Sequence, residues 1–128
     1  MSKLMHTPYR IGNIVISNRI VKSAMFEYCA NQGRITDQHR QIYEDAARGG
    51  CGLIITGMEA ISSTAGNGPG MIHTEYDGYL EDMRSIVSKV HRYSSRIFVQ
   101  LEQIQRLQRG YLLKWLMALF IMRLPKTN

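Results

Sequence analysis

Residues 48–61, which read RGGCGLIITGMEAI, constrain the fold of this chain more than any other stretch. A double glycine at positions 49 and 50 ends the element before it, and residues 53–55 form a short apolar run of the kind that parallel sheets bury on both faces. Residues 56–58 follow, where Gly57 has no Cβ and lets a ligand approach the backbone closely. In βα proteins the chemistry usually lies where such a strand ends. The stretch therefore predicts a buried strand that ends in a functional site.

Strand signals alternate with helix signals on both sides of this stretch. Residues 9–16 predict a hairpin, because two short apolar runs flank Gly12-Asn13. Residues 19–25 and 96–101 are further strand candidates. Strands that are separated by helices favour a parallel sheet with the helices packed outside it, so the predicted fold class is α/β.

Two helices are predicted between these strands. The first begins after Thr36, a favoured N-cap residue, and ends at the double glycine. The second follows residues 74–77, which resemble a capping box with Asp in place of the usual Glu or Gln, and ends near residue 93. Apolar side chains recur in it at helical spacing: Leu80, Met83, Ile86, Val87 and Val90.

Composition is that of an ordinary globular protein. The 128 residues suffice for one domain with one core, and 45% of them are hydrophobic.

Cys29 and Cys51 form no CxxC motif and no signal peptide is visible, so we expect reduced thiols and a cytoplasmic protein. No run of 18 uncharged apolar residues predicts a membrane span. The four histidines lack metal-ligand spacing, so no metal site is predicted.

Three strand ends are expected to converge on one side of the parallel sheet. They carry Ser23, Ala24 and Met25 after the first strand, Met58 after the second and Gln100 at the end of the third. A flat aromatic cofactor such as a flavin suits this set, because an amide can hydrogen-bond the edge of a ring while methionine offers a polarizable surface to its face. On spacing alone, ordinary strand-end loop residues remain the alternative.

Other polar residues near these ends are less informative. Tyr28, in the loop after the first strand, either points into a site or packs against the fold. Glu27 and Glu59 are candidate acid or base groups without a visible partner, and solvated carboxylates are the commoner case.

After residue 101 the alternation of strands and helices stops. Residues 111–124 are apolar on nearly every side of a helix, and most of the net charge of +6 lies in this part of the chain. The basic residues there are Arg106, Arg109, Lys114, Arg123 and Lys126, against Glu102 as the only acidic residue. Because the excess is confined to one segment, a nucleic-acid partner is not predicted for the body of the protein.

Five motifs in their order along the chain resemble the N-terminal part of the old yellow enzyme family, the FMN-dependent NADH:flavin oxidoreductases or NADH oxidases. They are residues 11–13 (IGN), 17–25 (SNRIVKSAM), 33–37 (GRITD), 49–57 (GGCGLIITG) and 96–101 (RIFVQL). The resemblance covers roughly residues 7–101. It implies the N-terminal portion of a (β/α)8 TIM barrel, with about three βα units and a hairpin that closes the barrel floor.

The resemblance also implies a cofactor and the residues that hold it. FMN would lie at the C-terminal mouth of the barrel beside Ser23, Ala24, Met25 and Phe26, with Met58 near the ring and Gln100 bonded to its pyrimidine side. Tyr28 matches a position that reaches the substrate pocket in some members. The implied chemistry is hydride transfer from NAD(P)H through FMN to a small-molecule activated alkene. No residue is assigned a catalytic role.

Residues 1–106 are therefore interpreted as a partial oxidoreductase barrel and residues 107–128 as a basic apolar tail outside the family pattern. Such a chain is expected to be a truncated or frame-shifted member, inactive alone, that self-associates through its open barrel edge or covers that edge with the tail. Two alternatives stay open: a non-catalytic fragment that acts through association, and a binder of membrane surfaces or nucleic acid that uses the basic tail.

Overall fold

A parallel sheet with two helices on one face organises the part of the chain that the structure describes. The structure is a computed structural model, and it describes residues 3–65 and 68–103. After a short 3-10 turn, Leu4–His6, the elements are β1 (Tyr9–Ile11), β2 (Ile14–Ile16), β3 (Val21–Lys22), α1 (Asp37–Arg48), β4 (Leu53–Ala60), β5 (Ile72–His73), α2 (Tyr79–His91) and β6 (Arg96–Glu102). The predicted tail, residues 107–128, lies outside the described residues.

The strand β4 is the centre of the sheet, and all of its partners run parallel to it. β6 pairs with one edge of β4 along its whole length, from Leu53 opposite Arg96 to Ala60 opposite Glu102. β3 and β5 must therefore share the other edge, β3 at its beginning and β5 at its end. The predicted α/β class and parallel strand order are confirmed.

The core lies between the sheet and the helices. Ile54 of β4 is fully buried there with Tyr43 and Ala47 of α1 and with Ile86 and Val90 of α2. Burying an aliphatic side chain of this size contributes about 1.5–3 kcal/mol, so these contacts hold the helices on this face. Neighbouring strand residues point to the opposite face, which forms the inside of the predicted barrel.

The predicted hairpin is confirmed. β1 and β2 pair antiparallel with Ile11 opposite Ile14, so Gly12 and Asn13 form a two-residue turn. Gly12 has a φ of 56°, the left-handed conformation that such turns require.

The first helix begins and ends where it was predicted. Its N-cap is Thr36, whose backbone N–H donates to Nδ1 of His39 at 3.2 Å, so a histidine takes the part that Glu or Gln plays in a capping box. Burial lowers the pKa of His39, which favours the neutral ring, the form that has a nitrogen free to accept a hydrogen bond. Gly49 ends the helix, and Gly50 follows with a φ of 92°.

The second helix begins later than predicted, so the proposed capping box was wrong. Thr74 bonds to the sheet instead: its N–H donates to the carbonyl of Ala60 and its hydroxyl to that of Ile61. The N-cap is Gly78, with a φ of 96° and no side-chain bond. The apolar face predicted for this helix does face the core, but Leu80 at its start is exposed.

Two strand predictions also needed correction. β3 is shorter than the predicted residues 19–25, and β4 does not end at Ile55 but continues to Ala60. β5 was not predicted, because a two-residue strand carries too little periodicity to be seen in the sequence.

Candidate functional site

The ends of the parallel strands place two predicted site residues side by side in the sheet. Met58 of β4 and Gln100 of β6 are paired across the two strands. The loop that follows β3 reaches the opposite edge of β4, so the three distant segments do meet at this end of the sheet.

A bulge in β4 determines which side chains face the site. The register between β4 and β6 shifts between Ile55 and Met58, so that Thr56 and Gly57 lie opposite Val99 alone. Without the extra residue, strand alternation would place Met58 on the helix side of the sheet with Ile54. The bulge turns Met58 to the inner face, where Gln100 also lies, and turns Glu59 towards the helices.

The polar groups of the bulge are satisfied within the protein. The fully buried Thr56 hydroxyl accepts the N–H of Gln100 at 3.1 Å and donates to the carbonyl of Gly57. The N–H of Gly57 donates to the Tyr43 hydroxyl on α1 at 3.2 Å. The position of Gln100 is therefore tied to β4 by a side chain as well as by the strand ladder.

The sequence predicted that Gly57 leaves room for a ligand, but the space beside it is filled by the chain itself. A Cβ at this position would lie 2.6 Å from the carbonyl oxygen of Met25 and would also overlap the carboxylate of Glu27. The loop after β3 thus crosses β4 at the one residue that lacks a side chain.

An ion pair holds this loop in place. Lys22 Nζ lies 3.1 Å from Oε1 of Glu27, and both side chains are largely buried. The same ammonium group lies 5.3 Å from the centre of the Tyr43 ring. Sequence reasoning treated Glu27 as a carboxylate without a partner and missed Lys22; the only signal was two opposite charges at the two ends of a short segment.

The remaining predicted site residues line the outer part of the loop. Ser23, Ala24 and Met25 are exposed, and Phe26 is half-buried. Tyr28 is 73% exposed and contacts the Phe26 ring edge-on at 4.0 Å between centroids. The Tyr28 ring therefore lies at the surface of the described residues, in contact with Phe26.

The side chain of Gln100 carries an unused acceptor. Its Oε1 is buried and has no hydrogen-bond partner among the described residues, and the same holds for Oε2 of Glu102 on the same face of β6. A buried acceptor without a donor is costly, so a donor supplied by a ligand would be favourable. The N–H at the edge of a flavin ring is such a donor, and the residues present therefore fit a flavin.

Glu59 lies on the other face of the sheet. It is 1% exposed, its Oε2 accepts the Tyr79 hydroxyl at 2.5 Å, and its Oε1 has no partner among the described residues. Burial raises the pKa of Glu59 to about 7, and burial beside this carboxylate also raises the pKa of Tyr79. The sequence offered Glu59 as an acid or base near the site, but the side chain points to the helix face, so the sheet itself separates it from that site.

The described residues contain no group of three His, Cys, Asp or Glu side chains placed to bind a metal ion. Within residues 3–65 and 68–103, neither helix has the length and apolar character needed to cross a membrane.

Comparison with known proteins matches residues 4–109 to the model of the NADH:flavin oxidoreductase / NADH oxidase family. A metal reductase of Desulforamulus reducens is 32% identical over 103 residues, and an NADH oxidase of Thermoanaerobacter brockii is 34% identical over 99 residues. These alignments cover 80% and 76% of this chain but only 15% of each relative.

Solved structures agree about the fold. The Old Yellow Enzyme from Pichia sp. AKU4542 superposes with a TM-score of 0.72 at 24% identity, over 80% of this chain and 27% of that enzyme. The prediction of a partial (β/α)8 barrel is confirmed.

Proposed function

Because this chain belongs to the NADH:flavin oxidoreductase / NADH oxidase family, we propose that it forms one wall of the FMN site of an NAD(P)H-dependent oxidoreductase. The observation that carries the proposal is the buried Oε1 of Gln100, which lies beside Met58 at the strand ends and has no partner within residues 3–65 and 68–103. FMN bound there would supply hydride transfer from NAD(P)H to an activated alkene, the substrate class that the family resemblance implies.

Each residue of the wall has a distinct proposed role. Gln100 would accept a hydrogen bond from the edge of the ring, and the Thr56 hydroxyl fixes the position of the Gln100 backbone by accepting its N–H. Met58 would lie against the ring, and residues 23–26 would border it. The Lys22–Glu27 ion pair holds that loop in place. The exposed Tyr28 ring borders the space where a small-molecule substrate would lie.

Turnover is proposed to require the rest of a barrel. The described residues supply three strands that follow the barrel order, β3, β4 and β6, whereas a complete barrel has eight. Residues that bind the substrate oxygen or donate a proton have no counterpart in these strands. We therefore propose that the chain alone binds FMN weakly and reduces no substrate.

The test is a titration of the purified chain with FMN, followed by the change in flavin fluorescence. Gln100→Leu should weaken FMN binding about tenfold, because the loss of one hydrogen bond costs about 1.4 kcal/mol and this energy corresponds to a tenfold change in Kd. Gln38→Leu, the same change on the exposed surface of α1, should leave binding as it is. Equal effects of both variants, or none, would contradict the assignment of Gln100.

A second measurement separates binding from catalysis. NADH is added anaerobically to the FMN-loaded chain and absorbance near the flavin maximum is followed. No bleaching beyond that of free FMN is expected; fast bleaching would show that one wall suffices for hydride transfer. A chain that binds no FMN would favour the alternative of a non-catalytic fragment that acts through association.

A further inference from the structure

A large open groove lies on the side of β6 away from the proposed flavin wall. Its volume is about 590 Å³, and it runs between the start of α2 and the outer face of β6. Its apolar lining comes from Leu80, Val99 and Leu101, which are 62%, 41% and 53% exposed. Three neighbouring apolar side chains left this open form a surface that another segment is expected to cover.

The described chain leaves the sheet at this groove. Gln103, the last described residue, comes two positions after Leu101, and 104–110 separate it from the apolar residues 111–124. Seven extended residues reach up to about 23 Å, which is ample for a return along β6. Residues 111–124, here called the apolar segment, contain only Lys114 and Arg123 as charged residues.

Charge also matches between the groove and the apolar segment. Asp77 and Glu81 line the groove at the start of α2, and both are exposed. The segment brings Lys114 and Arg123, with further basic residues on either side of it. Opposite charges at the rim of an apolar contact favour one orientation over another.

We propose that the apolar segment, residues 111–124, docks in the groove between α2 and β6 and covers Leu80, Val99 and Leu101. This places it on the outer face of the sheet, and not across the inner face or the open strand edge that the sequence had suggested. The family match ends at residue 109, so this contact belongs to this chain and is not a feature that the family match covers.

Trp115 makes the proposal measurable, because it is the single tryptophan of the chain and lies within the apolar segment. In the full chain its emission should be blue-shifted and resist acrylamide quenching. Leu101→Lys or Val99→Lys should shift the emission to the red and raise the quenching constant at least twofold. Val15→Lys, at a similarly exposed position on the hairpin, is the matched control and should change neither.

Leu80→Lys tests the same contact with a variant that should still fold if the strand variants do not. Leu80 is the most exposed of the three and lies on a helix surface, so circular dichroism should remain that of the parent while Trp115 becomes accessible. The proposal is overturned if Trp115 in the parent protein is as accessible to acrylamide as a free tryptophan. It is also overturned if Val15→Lys changes the quenching as much as Leu80→Lys does.

Dilution separates docking within one chain from docking between two. Protection of Trp115 should be independent of protein concentration, and the apparent mass by light scattering should be that of one chain wherever protection is seen. Protection that is lost on dilution together with a dimer signal would assign the groove to a second copy and overturn the proposal in this form.

Discussion

At the scale of one residue, Glu59 has different surroundings from those that its sequence position predicts. Its place next to Met58 made it a candidate for the site, but the bulge in β4 turns it towards α2. There it accepts the Tyr79 hydroxyl and is buried, and burial favours its protonated form. We therefore expect Glu59 to affect stability and not ligand binding.

The stability of the protein should therefore depend on pH through Glu59. Its pKa is about 7 when folded against a usual value of 4.5, so the folded state holds the proton more tightly. The stabilisation is complete below about pH 4.5 and is lost as the pH rises to about 7, by roughly 3 kcal/mol in the free energy of unfolding. Urea unfolding followed by circular dichroism at pH 5 and pH 8 measures this loss.

Glu59→Gln should remove most of that pH dependence, since an amide carries no titrating proton. The matched control is Glu81→Gln on the exposed side of α2, which should keep the slope of the parent. His39, whose pKa is lowered by burial, contributes the opposite slope, but it is present in every variant and cancels in the difference. An unchanged slope in Glu59→Gln would show that another group carries it.

At the scale of elements, the bulge at Thr56 and Gly57 joins the fold to the site. It reverses the alternation of side chains in β4 after Ile55. It also lets the Thr56 hydroxyl accept a hydrogen bond from the N–H of Gln100 on β6. The hairpin turn and α1 are predictable because a turn and a cap are local signals. The start of α2 is not, because Thr74 has partners in the sheet that outweigh its capping tendency.

Thr56→Val should test the bulge. Valine keeps the shape but leaves the N–H of Gln100 without its buried acceptor, which costs about 1–3 kcal/mol in the free energy of unfolding. FMN affinity should fall as well, because Gln100 loses the contact that positions it. Chemical unfolding and FMN titration give the two values.

Thr56→Ser is the conservative variant for this test. Its hydroxyl restores the acceptor, so FMN affinity should return to near that of the parent although the lost methyl group lowers stability somewhat. If serine and valine weaken FMN binding equally, the hydroxyl does not position Gln100.

On the scale of the whole molecule, helices cover only one face of the sheet in the part of the chain that the structure describes. The helices bury Ile54 and its neighbours, whereas Val21 on the inner face is 44% exposed, and Val99 and Leu101 are exposed in the outer groove. Exposed apolar strands of this kind favour association. This arrangement is consistent with a chain that spans a small part of its relatives' length.

Removal of residues 107–128 should therefore lower solubility. The truncated chain loses the apolar segment proposed to cover Leu80, Val99 and Leu101, so it should form larger species at lower concentration than the full chain. Light scattering over a concentration series measures this. A truncated chain that stays monodisperse over the same range would count against any covering role for the tail.

The sequence by itself determined the local elements and their order. The hairpin, α1 and the parallel strand arrangement follow from patterns within short stretches, and the motifs in these elements carry the family resemblance. The tertiary structure alone decided which side chains face which way. Thr56 and Gln100 are 44 positions apart and Glu59 and Tyr79 are 20 apart, and both contacts depend on one extra residue in β4. Strand alternation has a period of two, so a single bulge, invisible to local patterns, reverses the face of every residue after it.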